Sequence, residues 1–218
     1  MFLNSQTDMP YRFTYREIAE ALQAALRDDP FFSTMERSVS QDINEAKEAM
    51  IRYMDYSMVE ARKYGELYLP EGKHFGASIW SKPLDEKLAR QKSIEKKTFI
   101  LEHMREGSLK TYSAIVTFMS EQANGLLPEN IWYLSILAID PVFQGQGLGT
   151  GLVETIIDKA NGMGIPTYLE TYTPENKTFY KRLGYRVTAS IFEPVTGAEY
   201  SIMIRGAARD QTVPLPIR

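Results

Sequence analysis

Cysteine is missing from all 218 residues, which removes disulfides, thiolate metal ligands and cysteine nucleophiles from consideration together. Histidine is nearly missing too. His74 and His103 stand in unrelated contexts with no HExxH-type spacing, so both read as surface or core side chains and no metal is expected. No apolar run reaches the roughly 18 residues that a membrane-spanning helix needs. The opening "MFLNSQTDMP" has neither the basic region nor the apolar stretch of an export signal. The expectation is a cytoplasmic chain without a membrane partner. Strong charge of either sign is lacking as well: the net charge is −3 and the pI about 5.6, which argues against nucleic acid as a partner.

What is present fits a folded domain. The hydrophobic share of 44% and charged share of 24% are ordinary for a globular protein. The length suits a single domain over 1–218 with embellishments. In "TYREIAEALQAALRDDP", Ile18, Leu22, Ala25 and Leu26 recur at helical spacing, Thr14 and Glu17 read as a capping box, and Pro30 closes the segment. A second helix is predicted from about Asp42 to Tyr64, with Ile43, Ala46, Met50, Met54 and Met58 along one stripe and Gly65 ending it. "ELYLP" and "HFGASIW" read as a hairpin, and 84–122 as a helical insertion broken near "REGS". Strands return in "IWYLSILAI", "TYLETY", "YRVTASIF" and "YSIMIR", with a helix from about Gly149 to Ala160 between the first two. The fold class is therefore α+β, or mixed α/β, without internal repeats.

The stretch "LSILAIDPVFQGQGLGTGLV" carries the chemistry. It sets Gly145, Gly147, Gly149 and Gly151 on alternate positions between a strand and a helix, where glycine permits both a tight turn and close approach of an anion to backbone N–H groups. The dinucleotide fingerprint GxGxxG is not met, because its last glycine is replaced whichever glycine is taken as the first. A P-loop is not met either, since no Gly-Lys-Ser/Thr occurs. What remains is Q-x-x-G-x-G, from Gln144 to Gly149, following Asp140-Pro141.

That pattern resembles the acyl-CoA motif of the GNAT superfamily of N-acyltransferases, and "YLETYTPENKTFYKRLGYRV" is similar to the strand and helix that follow it there. The likeness covers about 131–205, with 84–122 departing from the minimal pattern. It implies a twisted, mixed and mostly antiparallel sheet flanked by helices, and acetyl-CoA as the acyl donor. It also implies that Gln144, Gly145, Gln146, Gly147, Leu148, Gly149 and Thr150 hold the coenzyme's pyrophosphate at a helix start. Gly147 and Gly149 are the positions where a side chain would intrude most. Leu137, Ala138 and Ile139 would pair with the pantetheine arm. Tyr180 would protonate the departing thiolate, in preference to Phe179, which has no proton to give, and to Tyr185 at a strand start. Asn176 either binds the pantetheine or caps the short helix.

A general base is less defined: Glu170 is the carboxylate nearest the presumed junction, a water chain is its rival, and Asp140 reads as a turn former. "RDDPFF", Arg27 to Phe32, either encloses a cationic amine or is a solvated helix end followed by core anchors. The resemblance points to direct acetyl transfer onto an amine, most simply that of a small molecule. A non-catalytic acyl-CoA sensor of the same fold and a peptide or protein N-acetyltransferase are the alternatives, and a homodimer is left open.

Overall fold

A computed structural model describes residues 11–207. The elements in chain order are α1 (Arg16–Leu26), α2 (Pro30–Arg37), α3 (Ile43–Tyr64), β1 (Gly65–Tyr68), β2 (Gly76–Ser81), α4 (Glu86–Ala123), β3 (Trp132–Ile139), α5 (Leu148–Gly162), β4 (Thr167–Thr171), α6 (Asn176–Arg182), β5 (Arg186–Glu193) and β6 (Ala198–Arg205). The six strands form one sheet in the order β1-β2-β3-β4-β6-β5. Every pairing is antiparallel except β3 with β4, which is parallel. The mixed, mostly antiparallel sheet is the one expected from the sequence.

Packing follows from which residues face the helices. On one side α1 and α3 place Leu22, Met50, Met54 and Met58 against Ala77, Ile79, Ile136 and Ala138. On the other, α5 and α6 bring Val153, Ile156, Ile157 and Tyr180 onto Trp80, Leu134, Leu169 and Met203. The second half of α4 covers β6 through Ile115 and Met119.

Three local expectations need correction. The start of α1 has no capping box: Tyr15 occupies the cap without a side-chain bond. Instead the buried carboxylate of Asp55, on α3, takes the N–H groups of Thr14 and Tyr15 at 3.0 and 2.5 Å and the Tyr11 hydroxyl at 2.7 Å. A charged acceptor makes stronger bonds than a threonine hydroxyl, so the tertiary partner displaces the local one. Pro30 does not merely close a helix. It opens α2, with Asp29 as N-cap accepting from Phe31 and Phe32 N–H, the placement that proline's fixed φ and missing donor favour. In α3 the stripe holds except at its first member, since Ile43 is 78% exposed.

The predicted break near "REGS" falls at Arg105, whose φ of 78° and ψ of 167° interrupt α4. There Glu45 accepts from the Arg105 guanidinium. Near the end of the sheet, Arg205 ties three elements together by donating to Leu183 O and Asn161 Oδ1 at 2.9 and 2.7 Å.

The feature that creates room for a site is a bulge in β3. Opposite β2 the register runs Ile79 with Ile136 but Trp80 with Leu134, leaving Ser135 as the extra residue. A bulge reverses which face later side chains take and can end pairing. Both happen here. Leu134 packs toward α5, while Ile136 and Ala138 pack toward α1 and α3. Parallel pairing with β4 stops at the same point, after Leu134 with Leu169. Beyond it, β3 keeps its partner β2 through Ile139, and β4 keeps β6 through Thr171. The two centre strands therefore diverge, and the edge of Ser135–Ile139 toward β4 has no strand partner among the described residues.

Candidate active site

At the foot of that opening, β3 runs into a loop set by Asp140, whose side chain accepts from Val142 N–H at 2.9 Å and whose own N–H donates to Phe75 O at 2.7 Å. Asp140 is thus a turn former, as its neighbour Pro141 suggested. A single 3₁₀ turn, Pro141–Phe143, leads to the glycines. Gly145 and Gly147 have φ of 77° and 76°, a region that other residues enter only at a cost. Gly149 is helical, and a Cβ there would lie 3.1 Å from the Phe179 ring, so its bareness makes room for α6. The sequence argument gave Gly147 and Gly149 one shared reason; the geometry gives them two different ones.

The 15-residue helix α5 begins at Leu148 behind Gly147, which offers no side-chain cap. Its first N–H groups, at Leu148, Gly149 and Thr150, lack intrahelical acceptors by construction, and the helix dipole adds positive potential there. Gln144 to Gly147 are exposed. Gln144 turns its side-chain amide onto Ile139 O at 2.9 Å, bracing the loop from inside. The cradle thus fits a phosphate-bearing group through backbone N–H groups alone.

On the other side of the divergence lies a cavity of about 1000 Å³ bounded by α2, α3, α4, β3 and β4. Glu170 stands in its wall. Desolvation raises its pKa from the usual carboxylate range to about 7, and the hydrogen bond it accepts from the Tyr133 hydroxyl, 2.9 Å, only partly offsets that. Tyr133 stacks on Tyr168 at 4.5 Å, fixing the donor. Asp29 is another acid of the cavity. Burial pushes its pKa to about 6 against the two backbone N–H groups it caps. Of the "RDDPFF" residues, Asp29, Phe31 and Phe32 line the cavity, while Asp28 is exposed.

Tyr180 lies outside the cavity lining, in the α5–α6 core, edge-on to Phe179 and Tyr185 at 5.2 and 6.0 Å. Desolvation holds its phenol protonated, above the usual tyrosine range. Tyr185 shares its hydroxyl with Thr167 at 2.8 Å. Asn176 is exposed at the first residue of α6, with Glu175 in the cap position, so it does not cap that helix. Leu137 packs on the α5 side and Ala138 is buried on the other, so what β3 presents to the opening is backbone. Reading single motifs overlooked Tyr133 and Tyr168. The alternation in "YLETY" puts Tyr168 and Glu170 on one face, and the parallel register of β3 and β4 was the missing link.

Residues 99–187 match the family model for an acetyltransferase (GNAT) domain. An uncharacterized N-acetyltransferase of Schizosaccharomyces pombe is 24% identical over 183 residues, covering 82% of this chain and 73% of that protein. This chain is thus similar to the GNAT acetyltransferases over residues 99–187. The GNAT fold recurs in arylalkylamine N-acetyltransferase 2 from Aedes aegypti, at 16% identity and a TM-score of 0.58 over 88% of this chain and 94% of that one. It recurs also in the Drosophila melanogaster polyamine N-acetyltransferase, at 12% identity and a TM-score of 0.56 over 88% and 93% of the two chains. The glycine loop and the β3–β4 divergence both fall inside the matched segment, as do Glu170 and Tyr180. No helix among the described residues is long and apolar enough to cross a membrane, and those residues hold no cluster of potential metal ligands.

Proposed function

We propose that this protein transfers an acetyl group from acetyl-CoA directly to the primary amine of a small molecule. The observation that carries the reading is Glu170: a carboxylate with its pKa raised to about 7 in the wall of a half-open cavity, at the place where β3 and β4 part. Acetyl-CoA supplies the activated thioester. The backbone N–H groups from Gly145 to Thr150 hold its phosphates, and the β3 edge at Leu137, Ala138 and Ile139 receives its amide-bearing arm. An ammonium drawn in by Asp29 and Glu170 must lose a proton before its nitrogen can attack, and a base of pKa near the working pH does this best. Glu170 takes that proton. Backbone N–H at the β3 edge offers a hydrogen bond to the oxygen on which charge develops. Tyr180 keeps a proton at neutral pH and yields it to the leaving sulfur. Two similar folds carry the names arylalkylamine and polyamine N-acetyltransferase, which supports an amine as acceptor.

The test is thermal unfolding with acetyl-CoA, coenzyme A and NAD, followed by thiol release with a panel of amines. A ligand that binds only the folded state at one hundred times its Kd adds about 2.7 kcal/mol. A rise in midpoint with both coenzyme A species but not with NAD, and amine-dependent thiol release, are the expected results. A rise without turnover on any amine would make the protein an acyl-CoA-binding module instead.

A further inference from the structure

Among the polar groups of the cavity that the scheme above leaves unused, one carboxylate lacks a full set of partners. Glu60, near the end of α3, has a side chain only 10% exposed, and its Oε1 is buried with no hydrogen-bond partner among the described residues. Its other oxygen lies 3.7 Å from Lys96 Nζ and 3.9 Å from Lys92 Nζ. Both lysines are otherwise engaged. Lys96 donates to Ser57 Oγ at 3.1 Å and sits over the rings of Tyr53 and Tyr56 at 4.5 and 4.7 Å; Lys92 donates to Ser81 Oγ at 2.9 Å. Glu60, Lys92 and Lys96 all line the same cavity as Glu170.

A buried acceptor without a donor costs about 1–3 kcal/mol, more when charged. With both ammonium groups turned to Oε2, the partner for Oε1 has to arrive from the cavity. Its charge can be inferred. Two cations already stand within 4 Å of this one carboxylate, so a third would meet more like charge than unlike. A neutral O–H or N–H gains the charge-assisted bond without that penalty. The route to the reacting end is marked by tyrosines: Tyr133 holds Glu170, and Tyr53, also in the lining, is near enough to feel Glu60 and to be felt by Tyr133.

We propose that the Glu60–Lys96 end of the cavity is the subsite for the acceptor's tail, and that the acceptor is an amine bearing a neutral hydrogen-bond donor, a hydroxyl or amide N–H, remote from its reacting nitrogen. The proposal rests on the acetyl-transfer reading above. A site built around such a bond rejects the analogue that lacks the donor, because its own polar group is then stranded.

The experiment compares α,ω-amino alcohols of graded length with the alkylamines and diamines of matching length, by kcat/KM from thiol release. The best amino alcohol is expected to exceed its alkylamine by about ten- to a hundred-fold, the range of one hydrogen bond to a charged group. The diamine is expected to gain nothing over the alkylamine. In Glu60→Leu/Lys96→Met, which removes Glu60 together with its buried partner and leaves Lys92 on Ser81, the amino-alcohol advantage is expected to fall to about two-fold or less. Glu60→Gln keeps the shape with a weaker, neutral acceptor and is expected to lose several-fold of it.

If the advantage survives the double replacement, while acetyl-CoA still raises the melting midpoint, the subsite is wrong and the transfer reading stands. If the double variant does not fold, an unchanged ratio in Glu60→Gln overturns the subsite. A wild-type preference for the diamine overturns the neutral-donor assignment. Failure of the wild type to acetylate any of the three series, while another amine of the panel releases thiol, overturns the subsite; failure on every amine overturns the transfer reading and the subsite with it.

Discussion

Replacing Glu170 by Gln tests the central assignment through two independent quantities. The folded carboxyl keeps its proton up to about 7, while an unfolded one releases it near 4.5. At pH 7.5 such a group is about three-quarters ionised and at pH 6 about a tenth, so kcat/KM falls about eight-fold between them if Glu170 is the base. In Glu170→Gln the limb near pH 7 is lost, and the residual rate follows another group. Asp29, near 6, is one that the cavity offers. Stability moves the other way. The native state binds the extra proton between 4.5 and 7, so the wild type loses stability as pH rises through that window and is level above it. Moving the carboxyl from 4.5 to about 7 corresponds to roughly 3 kcal/mol at most. Glu170→Gln keeps an acceptor for the Tyr133 hydroxyl and buries no charge. It should therefore match the wild type near pH 4.5 and exceed it at pH 8 by on the order of 2–3 kcal/mol. Rates are read from thiol release across pH, and stabilities from urea unfolding at the two pH values. An acidic limb near 7 that persists in the variant removes Glu170 as base. Equal stability of the two proteins at pH 8 refutes the burial argument itself.

Other replacements address the remaining claims. Tyr180→Phe keeps the ring that packs between α5 and α6, so it should leave the melting midpoint nearly unchanged and the acetyl-CoA shift intact while lowering turnover by about a hundred-fold; unchanged turnover rejects the acid role. Asp55→Ala strands the Thr14 and Tyr15 N–H groups and the Tyr11 hydroxyl, for a loss of about 3 kcal/mol or more; a loss below about 1 kcal/mol in urea unfolding counts against Asp55 as the anchor of α1. Arg105→Gly relieves a backbone conformation of φ 78° and gives up an exposed ion pair of small worth. It should therefore gain about 1 kcal/mol, and a destabilised variant would show that Glu45 outweighs the strain.

The legible and illegible parts of the chain divide by range. Helical periodicity located α3 closely, and the break in α4 was visible at "REGS" because glycine and serine interrupt a helix-favouring run. The glycine loop was legible because its chemistry is backbone chemistry. What escaped was set by partners distant in sequence. Asp55 reaches 41 residues back to Thr14, and the Tyr133 bond to Glu170 needs the β3–β4 register. Glu60 and Lys96 meet across α3 and α4. Asp29 was seen as a residue of interest, yet Pro30 masked its second task as the cap of α2.

The bulge at Ser135 has a mechanical meaning beyond making space. Through it the sheet becomes two half-sheets, β1-β2-β3 and β4-β6-β5, stitched together along a seam of only three residue pairs, Trp132–Leu134 against Thr167–Leu169. A ligand laid along the open edge would act as the thread that continues the stitching. Backbone amides along Ser135–Ile139 would report its arrival by slowed hydrogen exchange.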